Sequence, residues 1–124
     1  MSVSCNVQQE RTLETIRAIG EFNGWNAIAA LAACQAINGK IPFGRLKSFP
    51  GLLRRQVVLR ETTSRVIVED YAHHPTEIRA TLNAATKGWD RRIISVFQPH
   101  LFTRTQAFFR EFAGALLTTD ILII

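Results

Sequence analysis

Apolar and polar positions change rhythm several times along the chain. From Asn26 to Asn38, "NAIAALAACQAIN" is apolar on nearly every side, which predicts a helix packed against more than one neighbour. Gly39 is its natural C-terminal stop. "PFGRLKSF" suits a short helix before a turn at Pro50-Gly51. The runs "QVVLRETT" (56–63) and "RVIVED" (65–70) are β-prone and separated by Ser64 in a tight turn. Thr76 to Trp89 is amphipathic, with Ile78, Leu82 and Ala85 at helical spacing and Pro75 at or near the first turn. "RIISVF" (92–97) is a continuous apolar run, as expected for a strand buried on both faces. Thr103 to Thr119 predicts a further helix with Phe108, Phe112 and Leu116 on one face, and "DILII" (120–124) a last buried strand. Residues 1–19 are mostly polar; "TLETIRAI" within them is compatible with a strand.

The second half thus alternates strand and helix, the pattern of a parallel α/β sheet. Ligands in such sheets collect beyond the carboxyl ends of the strands. Two polar corners occupy that position: "EDYAHHP" after the strand at 65–70, and "QPHLFTRT" after the strand at 92–97. They are expected to share a pocket.

Length and charge narrow the partners. With 124 residues, 47% of them hydrophobic, and a mean hydropathy of +0.06, the chain suits one soluble domain or parts of two. No apolar run reaches the roughly 18 residues that span a bilayer, and no basic-then-apolar leader opens the chain. Cys5 and Cys34 suggest neither a disulfide framework nor a zinc spacing, so a reducing, cytoplasmic setting is expected. Fifteen Lys and Arg against ten acids give a net charge of +5, which suits nucleic acid or anionic small molecules. The basic residues fall in short pairs, Arg54-Arg55 and Arg91-Arg92, with no base-reading motif between them.

In the first corner, Asp70 could accept from sugar hydroxyls and His73 could donate to phosphate. The plainer reading is a polar helix cap made by His73 and His74, with Tyr71 packed on the sheet. A zinc site from His73, His74 and His100 is disfavoured, since adjacent histidines seldom converge on one tetrahedral ion. In the second corner, Arg104 near a helix start could hold a carboxylate or phosphate, or be a solvated arginine behind a Thr103 cap. Arg54 and Arg55 precede a strand and read equally as solvated surface. The amides of Asn23 and Asn26 could meet an adenine edge or cap a helix.

Taken in order, "GEFNGWNAIAALAA", "FPGLLRRQ", "VEDYAHHPTEIRATL" and "VFQPHLFTRT" resemble the Mur ligases, over roughly residues 18–124 and most specifically from Val68 to Thr105. Within the family the likeness is greatest to the branch that joins L-alanine to UDP-N-acetylmuramate in peptidoglycan precursor synthesis. The resemblance implies an ATP-dependent amide-forming ligase that works through an acyl phosphate, with Mg2+ spreading the phosphoryl charge. It implies residues 1–54 as the helix-rich end of a central ATP-binding domain, and 55–124 as the first part of a Rossmann-like C-terminal domain. By the same resemblance, Asn23 and Asn26 contact adenine, Arg55 with Arg54 beside it reaches the ATP phosphates, and Asp70 holds the ribose. Tyr71 and His73 line the alanine and acyl-phosphate site, and Arg104 grips the alanine carboxylate; His73 and Arg104 are the catalytic candidates.

Some positions depart from the family pattern. Phe22 stands where a histidine is common, and Gly24-Trp25 replaces a small apolar pair. Leu101 and Phe102 stand where arginine and tyrosine are frequent, which removes one of two candidate carboxylate-binding arginines. No phosphate loop of the form G-x-x-x-x-G-K-[ST] occurs, so magnesium ligands and the UDP-sugar domain are expected outside these residues. The chain alone is expected to be a catalytically inactive piece of a larger ligase. Two other readings remain at this stage: a stand-alone nucleotide or amino-acid binding module, and a basic nucleic-acid-binding domain.

Overall fold

A computed structural model describes residues 2–7, 10–16, 20–42 and 44–124. The chain divides into two compact units, Met1–Leu53 and Arg54–Ile124.

The first unit opens with an antiparallel pair, β1 (Ser2–Val7) and β2 (Glu10–Thr15), in register from Ser2↔Thr15 to Val7↔Glu10. Only β2 overlaps the strand expected in "TLETIRAI", whose residues 17–19 lie outside the described ones. Next comes α1 (Glu21–Asn38), five residues longer at its start than the Ala-rich stretch predicts. It ends as expected on Gly39, whose φ of 65° is left-handed and costs glycine little. In this segment α1 is covered on one side only, as expected of an apolar helix with too little neighbouring chain to enclose it. Gly24, Ala27 and Leu31 are buried along one stripe, while Trp25 and Ile37 face solvent. Among the described residues this unit supplies one apolar cluster, Ile16 and Ala27 with Ile28 and Leu46, and that covers one face. A 3-10 turn at Leu46–Ser48 is the short helix of "PFGRLKSF".

In the second unit β3 (Val57–Glu61) and β4 (Val66–Glu69) form an antiparallel hairpin with a register shift between Val58 and Arg60. Its turn is closed by Thr62, whose N–H and hydroxyl both donate to the Arg65 carbonyl, at 2.8 and 3.1 Å. The crossover helix α2 (Pro75–Gly88) leads to β5 (Ile94–Val96), and α3 (Phe102–Ala107) and α4 (Phe109–Leu116) lead to β6 (Ile121–Ile123). β5 and β6 pair in parallel, Ile94↔Ile121 to Val96↔Ile123. The core of this unit is Ile78 and Leu82 of α2 against Phe112, Ala115 and Leu116 of α4, with Ile93, Phe97 and Leu122 packed onto it from the sheet side.

Three expectations change here. The helix over 103–119 is broken at Phe108 (φ −115°, ψ 28°), whose ring meets His74 edge-on at 5.0 Å, and Phe108 itself is exposed. β5 is not buried on both faces: Ile94 and Val96, with Ile121 and Ile123 of β6, are open because α2 and α4 cover the other side only. β4 and β5 do not pair, so the strands form separate two-stranded sheets rather than one continuous sheet. The α/β class and the small parallel sheet are as read.

Candidate functional site

The first corner begins where β4 ends. Asp70 accepts the Thr81 hydroxyl of α2 at 2.9 Å through Oδ2, while Oδ1 is buried with no hydrogen-bond partner. A buried acceptor without a donor is costly, and the hydroxyl of a ligand would satisfy it. Tyr71 donates its N–H to the Arg54 carbonyl at 2.8 Å, and the Arg54 guanidinium lies 5.5 Å from the Tyr71 ring centroid. The tyrosine is half-exposed under that arginine, not packed on the sheet.

His73 and His74 divide two jobs. His74 is the N-cap of α2: its Nδ1 accepts the Thr76 N–H at 3.3 Å, and Pro75 follows at the first helical position. Glu77 completes a capping box, taking the N–H of His74 at 3.2 Å and that of His73 at 3.0 Å on one oxygen. Nδ1 of His73 points at the Tyr71 carbonyl at 2.9 Å and at Glu77 at 3.4 Å. Its Nε2 has no hydrogen bond among the described residues, which leaves that nitrogen available to a ligand. The other Glu77 oxygen pairs with Arg55 at 3.5 Å.

Glu77 is therefore the hub of the corner. Burial raises its pKa, but the His73 N–H, the charges of His73 and Arg55 and the His74 N–H together hold it below the ordinary value of 4.5. The sequence reading missed it as a site residue. The signal was present, since "HPTE" places Pro at N1 and Glu at N3 of a helix.

The second corner meets the first. Arg104 of α3 extends Nη1 toward the His73 carbonyl at 3.5 Å, a long contact that still brings the two loops together. The helix start is Leu101, held at φ 67° with no side-chain cap, so Thr103 is not the N-cap expected. Arg54 and Gln56 also have positive φ, 58° and 50°. Non-glycine residues in such conformations cost about 1–3 kcal/mol each and concentrate where function needs a fixed geometry. Arg54 lies over Tyr71, Gln56 lines the same cavity as Asp70, and Leu101 opens the helix that carries Arg104.

The structure thus joins Arg55 and His73 to Glu77, Arg104 to His73, and Arg54 to Tyr71, with Asp70 at the adjoining strand end. Asn23 is half-buried and Asn26 exposed on α1 of the first unit. Among the described residues no group of His, Cys, Asp and Glu could hold a metal ion, and His100 joins no such group. No helix is long and apolar enough to cross a membrane.

Comparison with known proteins decides the family. Residues 54–124 match the model of the Mur ligase glutamate ligase domain, more than half of the chain. The chain belongs to the Mur ligase family. It is 46% identical over 112 residues to the UDP-N-acetylmuramate–L-alanine ligase of Syntrophus aciditrophicus, covering 89% of this chain and 23% of that protein. The corresponding ligase of Geotalea uraniireducens is 47% identical over 109 residues, covering 85% of this chain and 23% of that protein. Among solved structures, the UDP-N-acetylmuramate–alanine ligase of Thermotoga maritima superposes with a TM-score of 0.72 at 25% identity, over 98% of this chain and 30% of that one. A murein peptide ligase from Psychrobacter arcticus gives 0.65 at 27% identity, over 94% and 25%. This Mur ligase segment spans about a quarter of the length of the curated relatives it matches.

Proposed function

We propose that these residues are the part of an alanine-adding Mur ligase that receives the nucleotide and the amino acid. The observation that carries this is the contact of the two corners: Arg104 and His73, far apart in sequence, meet beside a carboxylate that also holds Arg55. Residues 1–54 are assigned to the end of the central ATP-binding domain and 55–124 to the first part of the C-terminal domain. The full reaction joins L-alanine to UDP-N-acetylmuramate in the cytoplasm, at the expense of ATP.

In that reaction the substrate carboxylate takes the γ-phosphoryl group of ATP, the alanine amine attacks the acyl phosphate, and phosphate leaves. Arg55, with Arg54 beside it, neutralises phosphate oxygens as charge shifts between them. The unpaired Oδ1 of Asp70 suits a ribose hydroxyl, and the amides of Asn23 and Asn26 suit the adenine edge. Arg104 offers a guanidinium to the alanine carboxylate, which places the amine toward His73. Nε2 of His73 can then donate to the oxyanion of the tetrahedral intermediate when protonated, or accept from the amine when neutral. Mg2+ would neutralise phosphate charge when bound; this segment lacks a cluster that fits it among the described residues, so its ligands are assigned elsewhere in the polypeptide.

The test uses a full-length ligase in which residues 1–124 replace the aligned stretch of the Syntrophus aciditrophicus relative. Arg104→Ala is expected to raise KM for L-alanine by at least about tenfold with KM for ATP little changed, given roughly 1.5–3 kcal/mol for a charge-assisted contact. Arg55→Ala is expected to do the reverse. An Arg104→Ala enzyme with an unaltered alanine KM would remove the assignment.

A further inference from the structure

A capping box asks one thing of Glu77, acceptance of the His74 N–H. Glu77 makes further contacts that the helix start does not require. The oxygen that takes the His74 N–H also takes the His73 N–H at 3.0 Å and faces Nδ1 of the His73 ring at 3.4 Å. The other oxygen holds Arg55 at 3.5 Å. The His73 and Glu77 side chains are 31% and 33% exposed, so water screens their contact only in part.

Nδ1 decides the state of the ring. It lies 2.9 Å from the Tyr71 carbonyl, which only accepts, so Nδ1 carries the proton. The opposite tautomer would set a nitrogen lone pair against that carbonyl and against the Glu77 carboxylate. In neutral His73 the bare nitrogen is therefore Nε2, which has no hydrogen bond among the described residues. Glu77 is ionised at neutral pH, its pKa held below 4.5. The titratable and charged groups that face His73 are Glu77 of α2, the Tyr71 ring at 5.2 Å, and Arg104 of α3, which reaches the His73 carbonyl. Among them Glu77 alone sets a negative charge beside the ring.

We propose that Glu77 is a positioning residue for the alanine-joining step: it holds His73 with Nε2 as the proton acceptor and stabilises the imidazolium that forms there. This rests on the reading of His73 and Arg104 as the alanine site. The alanine nitrogen arrives as an ammonium and has no lone pair. Nε2 takes one proton from it, and the freed pair forms the C–N bond to the acyl carbon. The C–O bond to phosphate then breaks, with its electron pair leaving on phosphate. One of the two protons still on nitrogen goes to the departing phosphate, and the imidazolium returns its own to water. Positive charge thus appears on a ring whose carboxylate partner is already in place at 3.4 Å. The logic is that of a carboxylate behind a catalytic histidine, with the Tyr71 carbonyl sharing the N–H.

Competition between nucleophiles isolates that step. Hydroxylamine also captures acyl phosphates, as hydroxamates, but its nitrogen is already unprotonated near neutral pH and needs no base. The full-length ligase carrying residues 1–124 would receive ATP, Mg2+, UDP-N-acetylmuramate, saturating L-alanine and hydroxylamine together. The ratio of alanine amide to hydroxamate depends only on events after the acyl phosphate, so any effect of Glu77 through Arg55 on ATP cancels. Glu77→Gln keeps an oxygen for the His73 and His74 N–H groups and removes the charge. It should lower the ratio at least about tenfold, as for an impaired base. In a His73→Gln enzyme, Glu77→Gln should lower it no further, because Glu77 acts through His73. An unchanged ratio in the first variant, or an added fall in the second, would overturn the proposal.

The nitrogen chemical shifts of the His73 imidazole, read by NMR, need no variant. Where the ring is neutral, Nδ1 should be the protonated nitrogen; a proton on Nε2 instead refutes the arrangement. The underlying reading fails in a different way. An unmutated enzyme that forms hydroxamate but no alanine amide is not an alanine ligase, and the proposal falls with it.

Discussion

Glu77 shows how one side chain can serve fold and site together. One oxygen caps α2 through the N–H groups of His73 and His74, and the other holds Arg55. Its pKa is lowered, so its contribution is fully present above the ordinary value of 4.5 and is lost as pH falls through the lower folded value. Glu77→Ala should cost roughly 0.3–1.5 kcal/mol at pH 7, the range for a helix-capping device. Glu77→Gln keeps an acceptor and should cost less. In urea melts the gap between wild type and Glu77→Gln should close as pH falls below the ordinary value of 4.5 and through the lowered folded one; a gap that persists in acid would show that charge is irrelevant there.

Leu101 gives the complementary case, a residue the backbone tolerates poorly. At φ 67° a side chain is strained, and Leu101 is half-exposed, so little packing offsets the strain. Leu101→Gly should raise stability by about 1 kcal/mol, read from the urea midpoint. A loss of similar size would mean that the side chain holds the corner in place. Neither residue's role is visible in composition. Glu77 is legible only once the helix start is fixed at Pro75, and the backbone at Leu101 leaves no mark in sequence.

At the scale of elements, the helices with one apolar stripe were the legible ones. Ile78 and Leu82 recur at helical spacing because one face of α2 must meet α4, and the structure buries both. Phe112→Ala should therefore cost about 3–5 kcal/mol and unfold the second unit at ordinary temperature, as seen by loss of the cooperative thermal transition. An intact transition with a small shift would mean that the α2–α4 contact is not the core. α1 shows no preferred face in the sequence because its many small apolar side chains are spread round the helix, and only the stripe through Gly24, Ala27 and Leu31 finds cover in this segment. The break at Phe108 follows from no proline or glycine, so the pattern around it predicts an unbroken helix. Strand burial misled for another reason: "RIISVF" records apolar residues on both faces, while α2 and α4 cover only one.

At the scale of the whole molecule, strand and helix order was readable but neighbour order was not. Alternation along the chain gives the α/β class, yet it does not say that β4 and β5 belong to separate sheets. The two corners were found because ligand loops follow strand ends, and their motifs are local in sequence. Their meeting through Arg104 and His73 is a tertiary fact. The Syntrophus aciditrophicus relative is about four times as long as the stretch it shares with this chain, and on the proposed reading the corners bind nucleotide and amino acid while residues elsewhere in the polypeptide complete the site.

Alanine-dependent phosphate release is the most direct test of that assignment. The full-length ligase carrying residues 1–124 would be given ATP, Mg2+ and UDP-N-acetylmuramate, then each of a panel of amino acids in turn. Release should require L-alanine and the UDP-sugar together. Release at the same rate without an amino acid, or with another amino acid in preference to L-alanine, would contradict the reading of these corners as the alanine-receiving site.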